Sequence, residues 1–132
     1  MLTSNQITAI SAVVDELREL ENDYMSFAKA LVHTVVKTFE MGVWIIQNTP
    51  SQQMAGISAA NKVLIAGTCE RVVSSLLRIA HNLAILNDSR KETCNILILN
   101  GEYNEAGRIN CQFAATKRNA DGIKDMIVRL SC

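Results

Sequence analysis

Residues 106–130, AGRINCQFAATKRNADGIKDMIVRL, decide the fold class. Apolar or small side chains recur at Ala106, Ile109, Phe113, Thr116, Ala120, Ile123, Ile127 and Leu130, in steps of three and four. That period lines one face of an α-helix and meets a partner helix along a continuous seam. Two further stripes of this kind lie upstream, so most of the chain is written for helix-on-helix packing.

The first stripe is Ile7, Ile10, Val14, Leu17, Tyr24, Ala28, Leu31, Val35, Phe39, Gly42 and Ile46. It opens at Thr3, with Gln6 three residues on, the spacing of a capping box. The run Glu21-Asn22-Asp23 interrupts it and marks a candidate kink. It ends at Gln47-Asn48. The second stripe is Met54, Ile65, Cys69, Val72, Leu76, Ile79, Leu83 and Leu86. Its predicted start is Thr49 as N-cap, Pro50 at the first helical position and Gln52 completing the box. Its predicted end is Asn87-Asp88, after which Ser89 and Glu92 repeat the capping spacing. The third helix is then expected over residues 90–129, with a weak point at Asn100-Gly101. The alternative, a strand over residues 94–99 entering a turn, lacks a second alternating run to pair with.

These signals predict an all-α fold: an elongated antiparallel bundle of three long helices, or of four or five if the chain breaks near Asn22 or Gly101. One helical domain over residues 1–132 is expected from the length. A single Pro and six Gly leave few places for loops.

Charge narrows the function classes. The chain carries 13 basic and 13 acidic side chains and no net charge, which disfavours a dedicated nucleic-acid binder. The distribution is uneven. Residues 1–50 hold three basic against six acidic groups, and the remainder ten against seven. Acidic and basic segments of this kind suit helix pairing within the chain or between copies. Two basic pairs at heptad spacing, Arg71 with Arg78 and Lys117 with Lys124, are the candidate phosphate contacts of the alternative nucleic-acid reading. Glu70, Asp121 and Asp125 dilute them, and no aromatic is interleaved for base stacking.

No site with chemical specificity emerges. Cys69, Cys94, Cys111 and Cys132 lack the close spacing of zinc knuckles. The start of the chain has neither the charge nor the apolar run of a secretory signal, so a reducing, cytoplasmic setting with free thiols is expected, export without a cleaved signal being the alternative. His33 and His81 have no carboxylate at helical metal spacing, and no metal or cofactor is implied. Gly56 and Gly67 read as points of close helix approach, and Cys69 and Cys111 as small core residues. Cys94, near the expected start of the third helix and beside Arg90 and Lys91, is the one candidate reactive thiol.

The clearest functional signal is an excess of apolar surface. Over residues 24–46 the polar side chains Ser26, Lys29, His33, Lys37 and Glu40 form a narrow strip, and apolar residues fill well over half the circumference. A helix on the surface of a bundle needs only a ~100° stripe. The surplus predicts a partner-binding face of Met25, Val32, Val36, Phe39, Val43 and Trp44. The expected function is a non-enzymatic interaction or assembly module that self-associates, as a homo-oligomer, or clasps a helix of another protein. A third possibility is a small-ligand sensor with a pocket between helices.

Overall fold

A computed structural model describes residues 2–131 as three long helices joined by two short turns. Helix α1 spans Ser4–Gln47, α2 spans Met54–Leu99 and α3 spans Tyr103–Ser131. At 1.5 Å per residue they are roughly 66, 69 and 43 Å long. Helix α2 runs antiparallel to both others and packs against each of them, whereas α1 and α3 touch one another less. The bundle is therefore an elongated hairpin of α1 and α2 with a shorter third helix laid along part of its length.

Helix α1 begins with the expected capping box. The Thr3 hydroxyl accepts from the Gln6 N–H, and the Gln6 side chain accepts from the Thr3 N–H at 2.9 Å. It runs without a break through Glu21-Asn22-Asp23. The helix is not interrupted there, and Glu21 falls on the buried stripe itself, between Leu17 and Tyr24.

The start of α2 differs from expectation. Residues 51–53 form one 3-10 turn, and α2 begins at Met54 with no side-chain cap. Thr49 is occupied elsewhere: its hydroxyl donates to the Ile45 carbonyl, and the Asn48 amide donates to Trp44. Both serve the orphan carbonyls at the end of α1.

The border between α2 and α3 also moves. Helix α2 passes straight through Asn87-Asp88-Ser89 and ends at Asn100-Gly101. Continuing the helix buries Leu86, Arg90, Cys94 and Leu97 on one face. That gain exceeds the few tenths of a kcal/mol by which Asn, Asp and Ser disfavour a helix interior. At Gly101 the chain takes φ +76°, the left-handed region open to glycine. The Glu102 N–H then donates to the Leu97 carbonyl and the Gly101 N–H to Ile98, at 2.9 and 3.1 Å, the paired bonds of a Schellman stop.

The core follows the three stripes but is divided. One apolar cluster holds Ala28, Val72, Leu76, Ile79, Leu83, Leu86 and Ile123. A second, toward the α2–α3 turn, holds Val14, Cys94, Leu97, Ala106 and Ile109. A buried polar layer lies between them. Arg90 of α2 donates to Glu21 of α1 at 3.1 Å and to Thr116 of α3. Thr116 donates to Glu21, and the Asn119 amide donates to its second oxygen at 3.1 Å. Sliding any helix by a turn would leave these groups facing Leu or Ile, so the layer sets the register of all three helices.

Gly42 is the one buried glycine among the described residues, and it is not among those expected at a close helix approach. Its carbonyl accepts from the Asn61 amide at 3.0 Å, tying the two helices together near the hairpin end. Gly56 has nothing near it, and Gly67 faces only the tip of Arg71.

Candidate functional site

The described part of helix α3 reaches only part of the way along the hairpin. Its last residues, Leu130 and Ser131, lie beside Phe39 of α1 and Lys62, Ile65, Ala66, Cys69, Glu70 and Val73 of α2, around an open recess of about 550 Å³. Past this level the described residues form a bundle only two helices thick. About eight residues of each helix, or ~12 Å, continue alone to the turn. The groove that α3 fills along the rest of α2 thus runs on as an apolar trough that no third helix among the described residues fills.

The walls of the trough come from flanks that point toward α3 elsewhere. On α1, Val36, Phe39 and Val43 share one flank and are exposed, Phe39 by 56%. On α2, Ile65, Cys69 and Val73 are half-buried, and Val63 beside them is 73% exposed. Lys62 and Glu70 stand on the rim, four residues either side of Ala66.

Of the six residues expected to bind a partner, Phe39 lines the recess and Val43 lies a turn past it on the same flank, while Val36 stands a turn before it, exposed at a level α3 still reaches. Met25 and Val32 are half-buried on the same flank further up, where α3 is still present, and Met25 packs against the core. Trp44 is 64% exposed but sits on the outer face of α1, within the polar strip and roughly opposite the buried stripe. It marks the hairpin end without lining the trough.

The two basic pairs do not converge. Lys117 and Lys124 line the α2–α3 groove, interleaved with Asp88 and Asp121. Arg71 and Arg78 are exposed on the other flank of α2, toward α1, and Arg71 leans on Thr68 at 3.4 Å.

Two thiol expectations are corrected. Cys94 lies within α2, far from any helix start, and is buried with its Sγ donating to the Ala106 carbonyl at 3.6 Å. Cys111 is exposed and not part of the core, because it falls between the Ile109 and Phe113 positions of the α3 stripe. Cys69, Cys94 and Cys111 are unpaired, and Cys132 lies outside the described residues. His33 and His81 are exposed, and no three His, Cys, Asp or Glu among the described residues cluster as a metal site would require. No helix of the described residues is long and apolar enough to cross a membrane.

A surface network joins the far end of α1 to α3. Arg108 donates to Asp15 and Ser11, both at 2.9 Å, and to Glu105 at 3.0 and 2.5 Å. The hydrogen bonds to Glu105, then to Asp15, hold its guanidinium above the ordinary arginine range. A base raised in this way stabilises the fold below its unfolded pKa and loses that contribution only as pH rises through the folded one. The network is therefore constant across neutral pH.

Comparison with known proteins returns no family model, no curated protein and no solved structure that matches this chain.

Proposed function

We propose that the chain is a non-enzymatic assembly module whose trough takes the same region of a second copy. The observation that carries this reading is the apolar groove that runs on past the described part of α3. Its α2 wall continues the flank along which α3 packs, so a helix is the shape that fits it.

The rim supports a second copy over a foreign helix. Lys62 and Glu70 are placed symmetrically about Ala66. When two α2 helices cross antiparallel on a two-fold axis through Ala66, Lys62 of each protomer faces Glu70 of its partner. An isologous contact needs this self-complementarity. The same axis sets Val63 opposite Cys69 of the partner subunit, and Ala59 opposite the partner's Val73. Ala66 allows close approach at the crossing. The ridge 62–66–70 is of the i±4 kind, whose packing gives crossings of about 50° and carries the second helix clear of α3. Exposed ion pairs contribute only about 0–1 kcal/mol each, so here they select the register. Affinity comes from covering Phe39, Val63 and Val73 at ~25 cal/mol per Å² of apolar surface.

Light scattering on the chain and on charge-reversal variants tests this. Lys62→Glu and Glu70→Lys each weaken association, and the two together restore it. A doubly reversed variant no better than the single ones, or a wild-type chain that stays monomeric at high concentration, overturns self-association through this face.

A further inference from the structure

Three buried side-chain polar atoms of the described residues have no hydrogen-bond partner: Nε and Nη2 of Arg90, and Oε1 of Gln112. Both residues line one recess of about 310 Å³ between α1 and α3, together with Arg18, Glu21, Arg108 and Cys111. It lies on the polar layer, away from the trough and independent of it.

The chemistry of those atoms is specific. Arg90 is fully buried and spends Nη1 on Glu21, Asn87 and Thr116. The unused Nε–H and Nη2–H form the other edge of the guanidinium, the planar fork that clamps a carboxylate or phosphate with two parallel hydrogen bonds. An orphaned buried donor costs free energy until something accepts from it. Arg18 lines the same recess, is exposed and forms no ion pair among the described residues, so its charge is available at the mouth. Arg108 adds a third guanidinium, although Glu105 and Asp15 share its charge. Glu21 is the only carboxylate in the lining, and Arg90, Thr116 and Asn119 already surround its oxygens. The lining thus carries three positive groups against one negative. Gln112 Oε1 adds an acceptor beside these donors.

We infer that this recess binds a phosphate-type oxyanion. The Arg90 edge grips two of its oxygens, Arg18 holds its charge at the mouth, and Gln112 accepts from its hydroxyl. Water can serve each orphan atom singly. An oxyanion bearing a hydroxyl serves all three and neutralises the excess charge.

The test titrates inorganic phosphate and O-phosphoserine, at about pH 5.5, below the second pKa of about 6 so that the ester too keeps a hydroxyl, and at constant ionic strength against chloride, into the ¹⁵N-labelled chain while following the arginine Nε–H and Gln112 amide signals. Saturable shifts of the Arg90 Nε–H are expected with at least one of the two. A response to O-phosphoserine alone identifies an ester as the source, and a response to phosphate alone a free ion. Sulfate, which has no hydroxyl at this pH, binds more weakly. Arg18→Gln, a surface change that leaves the buried layer intact, weakens binding roughly three- to fivefold, the scale of one exposed charge pair. Gln112→Ala erases the preference for phosphate over sulfate. Arg90→Lys keeps the charge, removes the fork and abolishes saturation. If Arg90→Lys does not fold, Arg18→Gln and Gln112→Ala decide alone. No saturable shift with either ligand, or binding unchanged in both of those variants, overturns the inference.

Discussion

Replacing Arg90 by Met removes one partner of the buried layer and leaves the Glu21 carboxylate facing an apolar side chain. Arg90 is fully buried and Glu21 nearly so, and the two meet at 3.1 Å. Breaking a pair buried this deeply costs about 3–5 kcal/mol, because the surviving charge is left uncompensated. Native domains are stable by only about 5–15 kcal/mol, so the loss is a large fraction of the whole. Replacing both partners, Glu21→Leu with Arg90→Met, removes the stranded charge and joins the two apolar clusters. The double variant is expected within about 1 kcal/mol of the parent, or above it. Urea unfolding followed by circular dichroism measures all three, with the cycle giving the coupling energy. The Lys62→Glu background is the right host, since association would otherwise add a concentration-dependent term. A single-variant cost below 1 kcal/mol, or a double variant that simply sums the singles, would show that the layer is not the coupled ion pair described above.

Other substitutions probe the remaining features. Gly101→Ala forces a Cβ into the left-handed region and costs about 1–2 kcal/mol in urea melts. Gly42→Ala places its Cβ at 3.6 Å from Asn61 and Ile65, an ordinary contact, so the better helix former gains roughly 0.5–1 kcal/mol in the same assay. Asn61→Leu removes the amide that serves the Gly42 carbonyl and loses ~1–3 kcal/mol. Trp44, on the outer face of the hairpin end, emits as a solvent-exposed indole and is quenched by iodide in the parent and in Lys62→Glu alike; an emission change on dissociation would place it inside the contact.

The fold was largely legible because each helix buries one face, and a buried face leaves its period in the sequence. The stripes of α1 and α3 and the middle of α2 are the observed cores. The α2–α3 border was not legible. Asn87 and Asp88 look like a stop by propensity, yet burial of Leu86, Arg90 and Leu97 outweighs it, and Gly101 alone offers a backbone that ends the helix. The polar layer escaped for a related reason. Glu21, Arg90 and Thr116 each stand in register on their own stripe, but a charged residue reads as an interruption until its partner on another helix is known. Those register positions were the available signal, and they also foreshadow the recess that Arg90 borders. The apolar surplus over residues 24–46 was visible. Its division into a covered part, a trough and an outward Trp44 was not, because it depends on how α3 lies along α1, and nothing in the α1 sequence encodes that.

The most direct test of self-association through the hairpin trough is the mass of the intact chain in solution, measured by light scattering coupled to size-exclusion chromatography across a concentration series. A species of twice the 14.5 kDa chain mass that falls to the single mass in Lys62→Glu and returns in the doubly reversed variant is the predicted result. A single-chain mass at every concentration, or a dimer indifferent to Lys62 and Glu70, would contradict it.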